Sequence, residues 1–276
     1  MIHLDLINKI RVLYEKENPS FKTVLNLLEK HDENIIVDHI SFRTFDFPTI
    51  SIDALAVPFI EAGYQEEKRY KYENQEVKAR HYAHKTDKSA PLIFFSEIST
   101  YKFSKSLQSV VKNIVERIPI NILCSEKIFL TPTPWKSIHY SIYEQLKSES
   151  EYAAGIYANG FLAHHIGILI NSFEKYYSIN KLSSFLKENN IPYTLKNHSQ
   201  QSHIIALIEQ LMLEMKSKKK TFVEGEYEIP TSSPEFTRRN YMANNKLFME
   251  FLPNLTVQKP EPMTLEQINQ LILEDS

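Results

Sequence analysis

Two histidines of this chain stand in matching surroundings. His39 sits in Ile-Ile-Val-Asp-His-Ile-Ser-Phe-Arg-Thr-Phe over 35–45, and His165 in Ala-His-His-Ile-Gly-Ile-Leu-Ile over 163–170. The first stretch is β-branched and aromatic, without Gly or Pro, which predicts a buried β-strand. Side chains alternate along a strand. Val37, His39, Ser41 and Arg43 therefore share one face, opposite Ile36, Asp38, Ile40, Phe42 and Thr44. An imidazole, a hydroxyl and a guanidinium in a row suit the wall of a polar site rather than an apolar core. Laying His165 over His39 puts Ile166, Ile168 and Ile170 over Ile40, Phe42 and Thr44. The greasy face is again opposite the histidine, and His164 falls on the greasy side. The plain alternative is two unrelated strands, each with a satisfied core histidine.

A carboxylate would complete a metal site. Glu250 is a lone acid in Leu-Phe-Met-Glu-Phe-Leu over 247–252. Burying an unpaired carboxylate costs several kcal/mol, so it needs a cation or hydrogen-bond donors. Turned to solvent, or paired with an Arg, it would need no metal. Glu97 has a similar context in the first half, and Glu235, before Arg238 and Arg239, is a weaker rival in a turn-rich segment. Two histidines and one carboxylate suit non-haem Fe(II) with open positions. The same donors also take Zn, Ni, Mn or Co. Arg43 could clamp a carboxylate in bidentate fashion, which points to an acidic substrate, or it could serve a structural ion pair.

The elements that would position these residues repeat. Helices are expected over 3–16 and from 21 to about Lys30, broken at Asn18-Pro19-Ser20, with Ser20 as a cap. The strand at 35–45 leads into a helix over 51–62 that ends at Gly63. Strands follow at 64–72, 77–84 and 91–98, the first two joined around Glu73-Asn74. Residues 104–158 read as helices interrupted by Pro119 and by 131–134. The order then recurs: a strand at 163–170, a helix at 173–189, a strand at 193–197, a helix at 202–216, and strands at 221–229 and 246–252. The expected class is α+β, with paired βαβββ modules in one domain. The boundaries are N-terminal helices 1–34, first module 35–100, helical insertion 101–160, second module 161–255 and a C-terminal tail or helix 256–276.

Composition narrows the class. The chain has 276 residues, 42% hydrophobic, with a formal net charge of −2, so there is core enough to bury and no basic bias toward nucleic acid. The Lys-rich run Lys216 to Lys220 is short, as in a solvated helix end. One cysteine, Cys124, excludes an internal disulfide and fits a reducing, cytoplasmic setting. The N-terminus lacks a signal-peptide run, no apolar stretch is long enough to span a membrane, and GxGxxG and P-loop motifs are absent.

The stretches Val37 to Phe45, Ile93 to Glu97, Glu149 to Ala154, and Asn159-Gly160 through His165 are similar to the family first catalogued as domain of unknown function 1338. That family is associated with 2-oxoadipate dioxygenase/decarboxylase, in the vicinal-oxygen-chelate superfamily of paired βαβββ modules. Asp38-His39 followed by Arg43-Thr44-Phe45 carries most of the specificity. The resemblance implies Fe(II) held by His39, His165 and Glu250, with Arg43 gripping a substrate carboxylate beside Ser41. It implies oxidative decarboxylation of a 2-oxo acid by O₂, of the type that takes 2-oxoadipate to 2-hydroxyglutarate. Leu169 stands where a second Arg43 would fall, and the chain is expected to lack the C-terminal extension of longer members. Competing readings are a metal-dependent lyase, isomerase or hydrolase of the same superfamily, and a non-catalytic module that binds a small acid.

Overall fold

The structure is a computed structural model, and it describes residues 2–71, 76–195, 207–215 and 217–251. Helices α1 (Ile2–Glu17) and α2 (Pro19–Glu29) precede strand β1 (Val37–Phe45), helix α3 (Ile52–Glu61) and strands β2 (Tyr64–Lys71), β3 (Val77–His84) and β4 (Leu92–Ile98). Helices α4 (Lys105–Glu116), α5 (Ile120–Leu123), α6 (Tyr140–Glu149) and α7 (Glu151–Asn159) follow. Then come β5 (His165–Leu169), α8 (Ile179–Glu188), β6 (Tyr193–Leu195), β7 (Ile208–Leu213), β8 (Lys218–Phe222), β9 (Gly225–Ile229) and β10 (Glu235–Arg239). The class is α+β, as expected. Two compact units are built from interleaved stretches: residues 1–22, 39–166 and 215–232 in the first, and 23–38, 167–214 and the chain from 233 in the second.

In the first unit the strand order is β2-β3-β4-β1. β1 runs parallel to β4 with His39 opposite Leu92, and β3 is antiparallel to β2 and β4. Ser51 starts α3 by accepting from the Ala54 N–H, and Gly63, at φ +105°, ends it. Phe42 turns to this side, stacked on Phe95 at 5.2 Å and packed against Phe59 and Phe129. That aromatic cluster is the apolar face predicted for β1. The helices α4 to α7 lie between β4 and β5 in the chain. Gly160 closes α7 at φ +68°, where a Cβ would lie 2.9 Å from the Thr133 backbone nitrogen. No other residue type fits there without strain.

The second unit repeats the plan. Its strand order is β6-β7-β10-β5, with β5 parallel to β10 and β7 antiparallel to both of its neighbours. Each half is a βαβββ module whose first strand lies beside its last. Ile179, Leu182, Phe185 and Leu186 are the buried residues of α8. Ahead of α8, the carboxylate of Glu33 accepts from the backbone N–H groups of Glu174, Lys175 and Tyr176, so the helix starts at Ile179 rather than 173.

Other expectations need correction. Asn18, not Ser20, precedes α2; its carbonyl accepts from Lys22, and Pro19 takes the first helical position, where a missing N–H costs nothing. Within 202–216, residues 208–213 form strand β7. Leu and Met there favour a helix in isolation, but strand neighbours on both sides overrule that preference. The stretch 221–229 is half of a hairpin in which Phe222 pairs with Gly225. Over 246–251 there is only a bridge between Tyr241 and Leu247, and β10 is the last strand of the second module. The Glu73-Asn74 turn, residues 196–206 and the tail 256–276 lie outside the described residues.

Candidate metal centre and anion cavity

His39 and His165 meet, as their matched strands predicted. Their Nε2 atoms are 3.2 Å apart, with ring planes at 85°, and His39 is only 1% exposed. The backbone holds the two strands at this point, since the His164 N–H donates to the Ser41 carbonyl at 2.7 Å. Two imidazole nitrogens at this separation share either a proton or a cation. The span also matches two nitrogens each about 2.1 Å from one ion. Ser41, two residues beyond His39 on β1, is buried.

Arg43 lies farther along β1. Its guanidinium carbon stands 4.7 Å over the ring centroid of Tyr152, and its side chain makes no hydrogen bond or salt bridge among the described residues. Burial lowers its pKa, opposed by Tyr152 and Glu151, yet it stays a cation at neutral pH. Tyr152 is fixed in turn by Ser96, whose hydroxyl is 2.8 Å from the phenol oxygen and whose backbone pairs with Arg43 in the sheet. Among the described residues the structural ion pair considered for Arg43 is not formed.

Arg43 lines a cavity of about 210 Å³ within the first unit, together with His164, Asn159, Glu151 and Tyr14. His39 and His165 do not line it. His164 precedes β5 in a bend, so strand alternation does not govern it, and it faces this cavity instead of a greasy layer. Burial drives its pKa well down, helped by Arg43 and His165, so it is a neutral imidazole. Asn159 donates to the Gly155 carbonyl at 3.0 Å, while its buried Oδ1 has no partner among the described residues. The cavity thus offers unpaired donors from Arg43, while the unpaired acceptor of Asn159 is itself buried.

The three acids have different fates. Glu97 accepts from the Ile52 N–H at 2.9 Å, at the start of α3, and lies 3.9 Å from Lys78. Burial raises its pKa, and it serves as a helix-end anchor. Glu250 is not in a strand. Its backbone carbonyl accepts from Arg239, as does that of Phe248, both at 2.9 Å. The strand argument for its side chain therefore lapses. Glu235 starts β10, is 3% exposed and accepts from the Gln210 amide at 2.7 Å. It pairs with Gly167, the residue two past His165. By the same count from His39 the first module has Phe94, not Glu97, at this register. Arg239, adjoining these residues on β10, is fully buried in a bidentate pair with Asp38, at 2.6 and 2.8 Å. Sequence reasoning missed both Gln210 and this pair. The alternation of Glu235, Thr237 and Arg239 after Pro234 was the available signal.

No family model matches the chain. It is 28% identical over 199 residues to a 2-oxoadipate dioxygenase/decarboxylase, chloroplastic, of Arabidopsis thaliana, covering 67% of this chain and 54% of that one. It is also 28% identical over 253 residues to the chloroplastic/amyloplastic protein of that name from Oryza sativa subsp. japonica, covering 85% and 68%. The chain thus spans about half the length of the first relative and two thirds of the second. Among solved structures, one called a "putative hydrolase" from Shewanella frigidimarina NCIMB 400 superposes with TM-score 0.81 at 28% identity, covering 91% of this chain and 97% of that one. A hydroxyglutarate synthase from Oryza sativa, in complex with 2-oxoadipate, gives TM-score 0.77 at 23% identity, covering 96% and 90%. A "putative glyoxalase superfamily protein" from Ralstonia eutropha JMP134 gives 0.70 at 16%, covering 91% and 85%. The last two likenesses speak to fold alone. The resemblance read from the sequence holds, and the fold is vicinal-oxygen-chelate-like.

Proposed function

We propose that this chain is a metal-dependent dioxygenase/decarboxylase of a 2-oxo acid, of the type that converts 2-oxoadipate to 2-hydroxyglutarate. The observation that carries this reading is the pair of Nε2 atoms, 3.2 Å apart, on the first strands of two matched modules. Relatives named for that activity and a similarly folded protein holding 2-oxoadipate support it. His39, His165 and Glu235 are the proposed ligands, since these three group as a candidate metal site. Glu235 takes the role first expected of Glu250. Strand alternation supports the assignment, because Gly167 has the face of His165 and Glu235 pairs with Gly167. Two neutral imidazoles cannot offset a buried carboxylate, and a divalent ion can.

Fe(II) is the proposed ion, and when bound it supplies Lewis acidity and the electrons for oxygen chemistry. The chain's own residues do the rest. Arg43 lies four residues beyond His39, about 13 Å along an extended strand. Its unpaired fork is available to a carboxylate of the acid, and Tyr152 keeps the guanidinium plane oriented. Neutral His164 adds no competing charge there. The proposed setting is cytoplasmic, consistent with the exposed free thiol of Cys124. Among the described residues no helix is long and apolar enough to cross a membrane.

The likeness to a structure called a hydrolase favours a second reading, hydrolysis at the same metal. Oxygen uptake by the Fe(II)-loaded protein against a panel of 2-oxo acids separates the two. We expect uptake with CO₂ release for 2-oxoadipate, lost on chelation and in His39→Ala. Turnover without oxygen consumption would overturn the dioxygenase reading.

A further inference from the structure

We propose that Gln210 is a positioning residue that fixes the Glu235 carboxylate as a metal ligand. The inference rests on the reading of Glu235 as the third ligand, and goes beyond it. Gln210 lies on β7 directly opposite Thr237 of β10, and Glu235 is two residues before Thr237. Gln210 and Glu235 are therefore diagonal neighbours on one face of an antiparallel pair, a spacing that only long side chains bridge. The bridge is made: the Gln210 Nε2 donates to Glu235 Oε2 at 2.7 Å, with the two residues 9% and 3% exposed.

The chemistry of the pair fixes its polarity. A carboxylate only accepts, so the amide must present its NH₂ edge and not its oxygen. A donor at 2.7 Å to a buried anion is a charge-assisted bond, stronger than a neutral one. Engaging Oε2 stops rotation about the last torsion of Glu235, which is otherwise broad. One oxygen is then offered in a set direction, rather than two in an averaged one. Ordinary burial of a polar side chain does not explain the position. The same face of β7 carries Ile208 and Met212, and it would accept an apolar residue at 210 at lower desolvation cost, were Glu235 not there.

The test uses the full-length apo protein titrated with Co(II) alone, reading its affinity by chelator competition and its visible absorption bands. Gln210→Met keeps length and removes the donor. Gln210→Asn keeps the amide but withdraws it by one methylene. Both are expected to weaken Co(II) binding by about 10- to 100-fold, the range seen when outer partners of metal ligands are removed, and to alter the band positions. Glu235→Gln is run beside them. If Glu235→Gln retains wild-type Co(II) affinity, the reading of Glu235 as ligand fails, and this proposal with it. If Glu235→Gln loses the metal while either folded Gln210 variant binds within about threefold of wild type with unchanged bands, the positioning role alone is overturned. Loss of fold in both Gln210 variants would show that Gln210 holds the sheet rather than the ligand, and overturns it also.

Discussion

Asp38→Ala is expected to be among the most damaging single substitutions in the chain. The Asp38 carboxylate accepts from Arg239 Nε at 2.6 Å and from Nη2 at 2.8 Å, and the two side chains are 1% and 0% exposed. Removing one partner of such a buried pair leaves an uncompensated charge, which costs about 3–5 kcal/mol. Two backbone carbonyls, of Phe248 and Glu250, still face Arg239 Nη1, which places the loss toward the lower end. For a chain of this size each kcal/mol lowers Tm by about 2–4 °C, so a fall of about 10 °C is expected. Asp38→Leu combined with Arg239→Met removes both charges together. It should recover most of the loss, apart from about 1–2 kcal/mol for the two carbonyls stripped of their donor. Urea unfolding of the two single variants and the double variant gives the coupling energy directly. An Asp38→Ala cost below 1 kcal/mol, or a double variant as unstable as the sum of the singles, would refute the reasoning.

Other outcomes follow from the same contacts. Arg43→Lys keeps the charge but loses the planar fork, so KM for the acid should rise about tenfold or more with little change in Tm; an unchanged KM would make Arg43 structural. Glu224 accepts from the Tyr140 and Ser141 N–H groups at the start of α6, and these bonds, that from Tyr140 first, hold its pKa down to about 2 from 4.5. Its folded pKa is depressed, so its contribution is present above about pH 4.5 and lost as pH falls toward 2. Glu224→Gln should flatten that part of the Tm–pH curve, and an unaltered curve would count against the cap. Thr237 buries a hydroxyl with no partner among the described residues. Thr237→Val should be neutral or stabilising by up to about 1 kcal/mol in urea unfolding, and a loss above 1 kcal/mol would reveal a bond to that hydroxyl.

Much of the site was legible because strands write their faces into sequence. The alternation around His39 and the matched greasy face behind His165 were enough to predict their meeting. The module order was legible for the same reason, through 35–98. The acid proposed as the third ligand, Glu235, was harder to read. Glu250 sits in a longer apolar run than Glu235, yet the carbonyls at 248 and 250 bond to a side chain, not a sheet neighbour. β10 holds five residues, three of them charged, after a proline, and local propensity reads that as a turn. It becomes a strand because β5 and β7 flank it, a long-range fact that no window of sequence contains. The role of Arg239 was hidden for the same reason, as its partner lies 201 residues away.

The interleaving of the two units also has a temporal side. The first unit needs residues 215–232, and the hairpin of β8 and β9 is seated by the Glu224 bonds to α6 and by Tyr227, stacked 3.7 Å from Tyr140. Lys218 reaches Glu17 at 3.3 Å, closing a loop of 201 residues. During synthesis, the first unit must therefore wait while most of the second emerges. The ribosome releases about 5–20 residues per second, so the stretch from 167 to 232 occupies several seconds. Through that interval α6 carries Tyr140 without its stacking partner. Such distant closures slow folding more than they weaken the finished protein. A nascent chain halted near residue 214 is thus the state in which this protein is most exposed to chaperones and to aggregation.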